Sequence, residues 1–152
     1  MSSATDSVIV RLPADKKTLD ALEQMEKTCF SCPWSRNSLA AALIREGYDT
    51  LGLLLGDTLV GYAVISTVFE DCDLQNLAVA PPYRRAGYGK ALLNACLTRA
   101  EERGAQRVFL EVRRGNTAAI ALYSSAGFAP YGVRKNYYTH PVEDAVLMAK
   151  II

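Results

Sequence analysis

Alternating hydrophobic and polar residues, together with short apolar runs, predict strands along much of this chain. Seven strands are expected, at residues 8–12, 50–55, 58–67, 73–79, 107–112, 128–138 and 142–152. Gly56 and Asp57, between the second and third strands, are typical of a hairpin turn, so those two strands should pair antiparallel.

Apolar residues three or four positions apart predict four helices. The first two cover residues 14–28 and 35–45. The third ends near Gly104, and the fourth covers residues 116–126, with Asn116 or Thr117 as N-cap and Gly127 as its stop. This order predicts an α/β (α+β) fold, a mixed and mostly antiparallel sheet of about seven strands with helices on both faces. With 152 residues, half of them hydrophobic, one domain over residues 1–152 is expected.

The strand at residues 73–79 contains a break in its alternation. Leu74 is in one phase of the two-residue repeat, whereas Leu77 and Val79 are in the other. A β-bulge would produce this slip, and bulges splay neighbouring strands and leave backbone N–H and C=O groups free. We therefore expect a splayed sheet with a gap that fits a long ligand with a phosphate end and an amide-bearing arm.

Charge and composition argue against two kinds of partner. A formal net charge of +1 gives no electrostatic reason to expect nucleic-acid binding, and no apolar run approaches the length of a membrane span. Residues 1–7 are polar and lack the features of a signal peptide, which favours a cytoplasmic protein with a short frayed tail. We expect a monomer.

The four cysteines include a C-x-x-C pair at Cys29 and Cys32. Cys72 and Cys96 do not form a second such pair and His140 is the one histidine, so the chain has too few ligands at the usual spacing and no metal is expected. A thioredoxin-like pair opens a helix, whereas this pair lies at a predicted helix end. We expect free, reduced thiols.

Residues 77–90 run from an apolar strand through a basic, glycine-containing turn into a helix. A helix N-terminus has unpaired N–H groups and a partial positive charge, so its backbone can bind a phosphate. Gly87 and Gly89 allow close approach, and Arg84, Arg85 and Lys90 add charge. The spacing fits neither a Rossmann fingerprint nor a Walker loop. The alternative interpretation is a tight turn whose glycines only satisfy backbone geometry.

Two residues are candidates for acid–base chemistry. Glu111 lies in an apolar strand, where a carboxylate is costly unless it is paired or used. The alternative is a surface ion pair with Arg113 or Arg114. Tyr123 shares a helix face with Asn116, and the alternative there is a core tyrosine whose hydroxyl is satisfied.

Two segments together resemble the GNAT superfamily of acetyl-CoA-dependent N-acetyltransferases: LAVAPPYRRAGYGK at residues 77–90 and LEVRRGNTAAIALYSSAGF at residues 110–128. Further motifs resemble its bacterial ribosomal-protein alanine N-acetyltransferase branch: Phe30-x-x-Pro33-Trp34-Ser35, RKNYY at residues 134–138 and EDA at residues 143–145. The resemblance covers nearly the whole chain. Gly115 departs from it, since the branch usually has a small polar residue there, and we expect this to affect loop geometry more than chemistry.

The resemblance implies a role for each candidate residue. Glu111 would be the general base, Tyr123 the general acid and Asn116 a hydrogen-bonding partner of the cofactor. The backbone that would hold the acetyl group and pantetheine arm of acetyl-CoA belongs to Leu77, Ala78 and Val79. The pyrophosphate would be bound at the turn formed by Arg84, Arg85, Ala86, Gly87, Tyr88, Gly89 and Lys90. The acceptor groove would be lined by Trp34, Asn136, Tyr137 and Tyr138, for which a hydrophobic anchor and an ordinary aromatic strand end are the alternatives.

The implied reaction transfers acetyl from acetyl-CoA to a ribosomal protein N-terminus, the alanine that begins small-subunit ribosomal protein eighteen. An α-amino group with a pKa near 8 is partly neutral at cytoplasmic pH, whereas a lysine with a pKa of about 10.4 is almost wholly protonated. A carboxylate base therefore suits an N-terminal amine, and the oxyanion would be met by a backbone N–H of Leu77 or Val79. The alternatives are acetylation of a lysine or a small amine, and a non-catalytic acyl-CoA-binding module.

Overall fold

The chain folds around one seven-stranded sheet, which a computed structural model describes over residues 6–152. The strands are β1 (Ser7–Arg11), β2 (Tyr48–Leu55), β3 (Thr58–Val68), β4 (Asp71–Val79), β5 (Arg107–Arg113), β6 (Ala129–Tyr138) and β7 (Glu143–Ile151). The helices are α1 (Lys16–Cys29), α2 (Arg36–Ile44), α3 (Tyr88–Glu102) and α4 (Thr117–Ser125). The predicted element order and fold class are confirmed. The tail expected at residues 1–7 lies largely outside the described residues, although Ser7 already belongs to β1.

The sheet is antiparallel except at its centre. Its strand order is β1-β2-β3-β4-β5-β7-β6, and β4 with β5 is the one parallel pair among the described strands. None of the helices in the described part of the chain combines the length and apolar character needed to cross a membrane.

Strand β4 contains the predicted bulge. Against β3, Val64 pairs with Asn76 and Ile65 pairs with Leu74, so Gln75 is the extra residue. On its other side, β4 pairs with β5 only as far as Leu74, which lies opposite Leu110. Beyond this pair β4 and β5 no longer pair with each other, and the sheet is splayed, as the break in alternation predicted.

Helices cover both faces of the sheet. Leu92 of α3 and Tyr123 of α4 belong to a hydrophobic core on one face, which we call the α3–α4 face. Leu22 of α1 and Leu39 of α2 belong to a second core on the opposite, α1–α2 face. Successive residues of β4 alternate between them, since Leu77 and Val79 pack towards the first core and Ala78 towards the second.

Strand β2 begins at Tyr48, two residues earlier than predicted, because Asp49 is a buried strand residue. Its carboxylate forms ion pairs with Arg103 at 2.9 Å and Arg99 at 3.1 Å, both on or beside α3. Burial alone would raise the pKa of Asp49, but the two guanidinium groups outweigh burial and hold this pKa below its usual value. These ion pairs fix α3, and with it the glycine-containing turn at its start, against the sheet.

Candidate active site

A groove of about 970 Å³ opens where β4 and β5 diverge. One wall is formed by residues 74–79 of β4 and the other by residues 110–113 of β5. The end of α1 lies on its α1–α2 side, and the starts of α3 and α4 lie on its α3–α4 side. The groove is therefore lined by residues from both faces of the sheet.

The backbone groups that face the groove belong to Leu77 and Val79. The Ala80 N–H donates to the Val60 carbonyl of β3 at 2.8 Å, so by alternation Ala78 also directs its N–H and C=O towards β3. Leu77 and Val79 direct theirs the other way, beyond the point where β5 pairs with β4. The backbone of Ala78 therefore pairs within the sheet, whereas the backbone groups of Leu77 and the N–H of Val79 face the groove.

The turn before α3 presents a row of unpaired N–H groups. Gly87 is the N-cap of α3 with φ of 84°, and Arg85 also has a positive φ, 65°. No side chain caps this helix, and within residues 6–152 none of the six N–H groups from Arg85 to Lys90 donates to another protein group. With the helix dipole behind them, these groups fit an anion such as a pyrophosphate.

Arg84 supports the turn differently from the sequence-based expectation. Its Nε donates to the carbonyl oxygen of Val79 at 2.9 Å, so part of the guanidinium binds the end of β4 rather than an anion. Arg84 still lines the groove, with Arg85, Tyr88 and Gly89. Ala86, Gly87 and Lys90 complete the turn.

Asn116 begins α4 at the edge of the groove. Its Oδ1 accepts from the Ala119 N–H at 3.2 Å, so Asn116 rather than Thr117 is the N-cap, and its Nδ2 is left as a donor. The preceding Gly115 N–H donates to Glu143 Oε2 at 2.6 Å. With Glu143 in this position, a Cβ at residue 115 would lie 2.5 Å from the same carboxylate oxygen.

Glu111 lies on β5 with its side chain on the α1–α2 face, and it is exposed. The premise that Glu111 is part of a buried strand is therefore wrong, because only alternate residues of β5 are buried. Nor does it form the alternative ion pair: Arg113 contacts Glu143 at 3.2 Å, and Arg114 contacts Asp144 at 3.2 Å. The carboxylate is left to face the groove.

Tyr137 and Tyr138, at the end of β6, lie beside Glu111. Their rings meet edge to face with 5.0 Å between the ring centres, and the Arg113 guanidinium lies 4.6 Å from the centre of the Tyr138 ring. Interaction with the Glu111 carboxylate, followed by burial, raises the pKa of Tyr137. Burial, followed by the same carboxylate, raises the pKa of Tyr138 to about 12. Both phenols therefore stay protonated next to Glu111 at neutral pH.

Trp34 lines the groove beside Tyr137 and Tyr138, whereas Asn136 does not line it. Trp34 also packs against the core of the α1–α2 face, so it is both anchor and wall. Asn136 has a positive φ of 53°, and its N–H donates to Asp144 Oδ1 at 2.9 Å. The structure thus brings Trp34, Tyr137 and Tyr138 together and gives Asn136 a part in shaping the strand end.

Tyr123 reaches the groove from the α3–α4 face. It is a buried residue whose ring meets Phe128 edge to face at 5.9 Å. Burial is the main cause that raises the pKa of Tyr123 to about 12, so its hydroxyl is protonated throughout the neutral range. Tyr123 therefore packs in the core, as the alternative interpretation expected, and its side chain also lines the groove.

The four thiols are free in the structure. Cys29 ends α1, as predicted, and burial raises its pKa. Among residues 6–152 there is no group of three or more histidine, cysteine, aspartate or glutamate side chains placed to hold a metal ion.

Comparison with known proteins agrees with this architecture. The family model described as acetyltransferase (GNAT) family matches residues 19–128. The chain belongs to the GNAT acetyltransferase family. Among relatives of this GNAT enzyme, the [ribosomal protein bS18]-alanine N-acetyltransferase of Escherichia coli K12 is 38% identical over 133 residues, which cover 86% of this chain and 89% of the relative.

Two solved structures place the GNAT chain among close and distant relatives. The crystal structure of the ribosomal-protein-S18-alanine N-acetyltransferase from Escherichia coli has a TM-score of 0.88 at 36% identity, covering 97% of this chain and 94% of that one. The PaiA N-acetyltransferase from Thermoplasma acidophilum, solved with coenzyme A, has a TM-score of 0.80 at 18% identity, covering 97% and 99%. The second likeness shows a shared fold.

Sequence reasoning missed one residue that lines the groove, the buried carboxylate Glu26. This side chain is fully buried, lines the groove and accepts hydrogen bonds from Trp34, Tyr62 and Asn76. A signal was present, because Glu26 lies four residues after Leu22, on the apolar face of α1.

Proposed function

We propose that this GNAT enzyme acetylates the N-terminal alanine of ribosomal protein bS18 in the cytoplasm, with acetyl-CoA as the acetyl donor. The observation that carries the acceptor is the 38% identity, over most of both chains, to the Escherichia coli enzyme of that name. The groove supports the reaction, because it has an anion site at one end and an exposed carboxylate among aromatic side chains at the other.

The residues of the groove fit acetyl-CoA. The unpaired N–H groups from Arg85 to Lys90 would bind its pyrophosphate, and the outward backbone groups of Leu77 and Val79 would pair with its pantetheine amides as a further strand would. Asn116 Nδ2 supplies a further donor at the start of α4. When bound, acetyl-CoA supplies the thioester whose carbonyl carbon the acceptor amine attacks.

Glu111 would act on the acceptor from the α1–α2 face. An α-amino group has a pKa of about 8, so a substantial fraction is already neutral near pH 7.5, and Glu111 takes the proton released as the C–N bond forms. A carboxylate is a weak base for an ammonium group of pKa 10.4, which disfavours lysine as acceptor. Trp34, Tyr137 and Tyr138 would pack on the first residues of the peptide.

Other groups in the groove would stabilise the negative charge that develops on the carbonyl oxygen and on the leaving sulfur. The N–H of Leu77 or Val79 donates to the carbonyl oxygen as it becomes negative. Tyr123 donates a hydrogen bond to the departing sulfur. The pKa of Tyr123 is about 12, whereas that of a thiol is about 8.5. Complete transfer of the Tyr123 proton to the sulfur is therefore unfavourable by roughly three pKa units. Tyr123 stabilises the thiolate by its hydrogen bond before the sulfur is protonated.

A peptide assay tests the proposal. The substrate carries the first residues of bS18 from the same organism and one internal lysine, and its partner is the same peptide with a blocked N-terminus. We expect acetyl-CoA-dependent acetylation of the first peptide at its α-amine and none of the second. Modification of the lysine in both peptides would show a lysine acetyltransferase, and binding of acetyl-CoA without turnover on any amine would show a sensor module.

Mass spectrometry of ribosomal proteins provides the matching test in cells. Deletion of the gene should remove the 42 Da acetyl mass from bS18 and leave the other small-subunit proteins unchanged, as an acetyl group adds about that mass to one amine. An unchanged bS18 mass would overturn the proposed acceptor.

A further inference from the structure

The structure holds two fully buried carboxylates, and they differ in their partners. Asp49 forms ion pairs with three arginines, whereas Glu26 has no cationic partner within the described residues. Its three partners are neutral donors from separate segments of the chain: the loop before α2, β3 and β4. Such a carboxylate is costly to keep in a fold, and Glu26 lies beside the groove.

The hydrogen bonds of Glu26 fix the orientation of one side chain, Asn76. Glu26 Oε1 accepts from the Trp34 backbone N–H at 2.7 Å. Glu26 Oε2 accepts from Asn76 Nδ2 at 2.8 Å and from the Tyr62 hydroxyl, and the same Nδ2 lies 2.9 Å from the Tyr62 oxygen. With Nδ2 directed at two buried oxygens, the amide cannot exchange its ends without placing Oδ1 against the carboxylate.

Asn76 lines the groove just beyond the point where β4 and β5 stop pairing. It is the residue after the bulge, directly before Leu77, whose N–H faces the groove. Its side chain is on the α1–α2 face, like that of Glu111 on the opposite wall, and both residues line the groove. Since Nδ2 is committed to Glu26 and Tyr62, Oδ1 is the group that the half-buried Asn76 can offer to a ligand.

We propose that Asn76 Oδ1 accepts a hydrogen bond from the α-amine of the acceptor, and that Glu26 is the positioning residue that fixes this oxygen towards the groove. This inference rests on the proposed function. An attacking amine must keep its lone pair on the thioester carbon, so its N–H bonds need acceptors on the walls. Glu111 supplies one from β5, and Asn76 supplies a second from β4.

Two variants test the two residues separately. Asn76→Ala removes the oxygen. Glu26→Gln keeps the size of the side chain but leaves a single acceptor oxygen for two donors, the Trp34 N–H and Asn76 Nδ2, so Asn76 is no longer held firmly in one orientation. Each variant should raise the KM for the bS18 peptide about tenfold, the value of one hydrogen bond, with the KM for acetyl-CoA within twofold of wild type.

Tyr62→Phe is the matched control. It removes the hydrogen bonds that the hydroxyl makes with Glu26 and with Asn76 Nδ2, but Nδ2 still donates to the Glu26 carboxylate at 2.8 Å. Asn76 Oδ1 therefore keeps its direction, and the peptide KM should stay within twofold of wild type. Circular dichroism melts of all three variants show which of them fold. Asn76→Ala and Glu26→Gln are independent, so either one that folds decides the question.

The outcomes separate this inference from the proposed function. If Asn76→Ala has the same KM for the peptide as the wild type, the inference is wrong. The proposed function is unaffected by that result as long as the wild-type enzyme acetylates the bS18 peptide. The inference is also wrong if the KM for the peptide and the KM for acetyl-CoA both rise, and rise equally in Tyr62→Phe. That result would mean that the hydrogen bonds of Glu26 only stabilise the fold. Absence of wild-type turnover on the bS18 peptide is instead a failure of the proposed function.

Discussion

Glu111 and Tyr123 reach the same groove from opposite faces of the sheet. Glu111 is exposed on the α1–α2 face of β5, and Tyr123 is buried on the α3–α4 face under α4. The two residues can share one reaction centre because β4 and β5 separate beyond Leu74 and Leu110. The proposed base and the proposed hydrogen-bond donor to the leaving sulfur therefore line one groove.

Glu111→Gln should lower kcat about a hundredfold or more while the dissociation constant for acetyl-CoA changes less than twofold. The amide keeps the size of the side chain but takes up no proton, and Glu111 belongs to β5 rather than to the turn proposed to bind the pyrophosphate. Steady-state kinetics with the bS18 peptide and calorimetric titration with acetyl-CoA measure the two quantities. Full turnover in Glu111→Gln would contradict a role for this carboxylate as base.

Tyr123→Phe should lower kcat about tenfold to a hundredfold and leave the fold intact, because the ring still packs against Phe128. The pKa of Tyr123 is raised to about 12, so its hydroxyl stays protonated up to about pH 10. Wild-type activity should therefore rise with pH as the α-amine deprotonates near pH 8 and should not fall again before about pH 10. A descending limb between pH 9 and pH 10 that Tyr123→Phe abolishes would mean that this tyrosine titrates much lower.

The sequence was sufficient for the architecture, for the bulge and for the turn before α3, since these depend on local signals. The slip between Leu74 and Leu77 located the bulge, and the glycines after Val79 located the turn at which α3 begins without a side-chain cap. Such features follow from neighbouring residues, through strand alternation and backbone geometry.

The contacts that cross the fold could not be predicted in this way. The binding of Glu26 to Asn76 joins residues 50 positions apart, and that of Gly115 to Glu143 joins residues 28 positions apart. Glu111 was expected to lie in a buried strand because Val108, Phe109, Leu110 and Val112 around it are apolar, but only the residues on one face of β5 meet a core. Which face is covered depends on where the helices pack, and that information is not local.

Gly87→Ala should weaken acetyl-CoA binding about tenfold. Gly87 has a φ of 84°, and an added Cβ would meet no atom within 4 Å, so the substitution strains the backbone of the turn without causing a steric clash. The strain costs about 1 kcal/mol of stability and shifts N–H groups that would bind the pyrophosphate.

Gly104→Ala is the control for that prediction. Gly104 has a φ of 89°, and a Cβ there also meets nothing within 4 Å, but it lies at the opposite end of α3 from the turn. The two variants should lose similar stability in thermal melts, and only Gly87→Ala should change the acetyl-CoA dissociation constant. An equal change in both would indicate that α3 transmits strain along its whole length.

Gly115→Ala should loosen the start of α4. The new Cβ would lie 2.5 Å from Glu143 Oε2 and displace the carboxylate from the Gly115 N–H, which costs about 1–3 kcal/mol because the hydrogen bond is to a charged group. Asn116, the next residue, would then hold its N-cap less firmly, so the KM for acetyl-CoA should rise severalfold. Gly132→Ala, whose Cβ makes an ordinary 3.5 Å contact with Leu147, should leave that KM unchanged. If Gly115→Ala binds acetyl-CoA as tightly as wild type, the link between Glu143 and the α4 N-terminus stabilises the fold without serving the cofactor site.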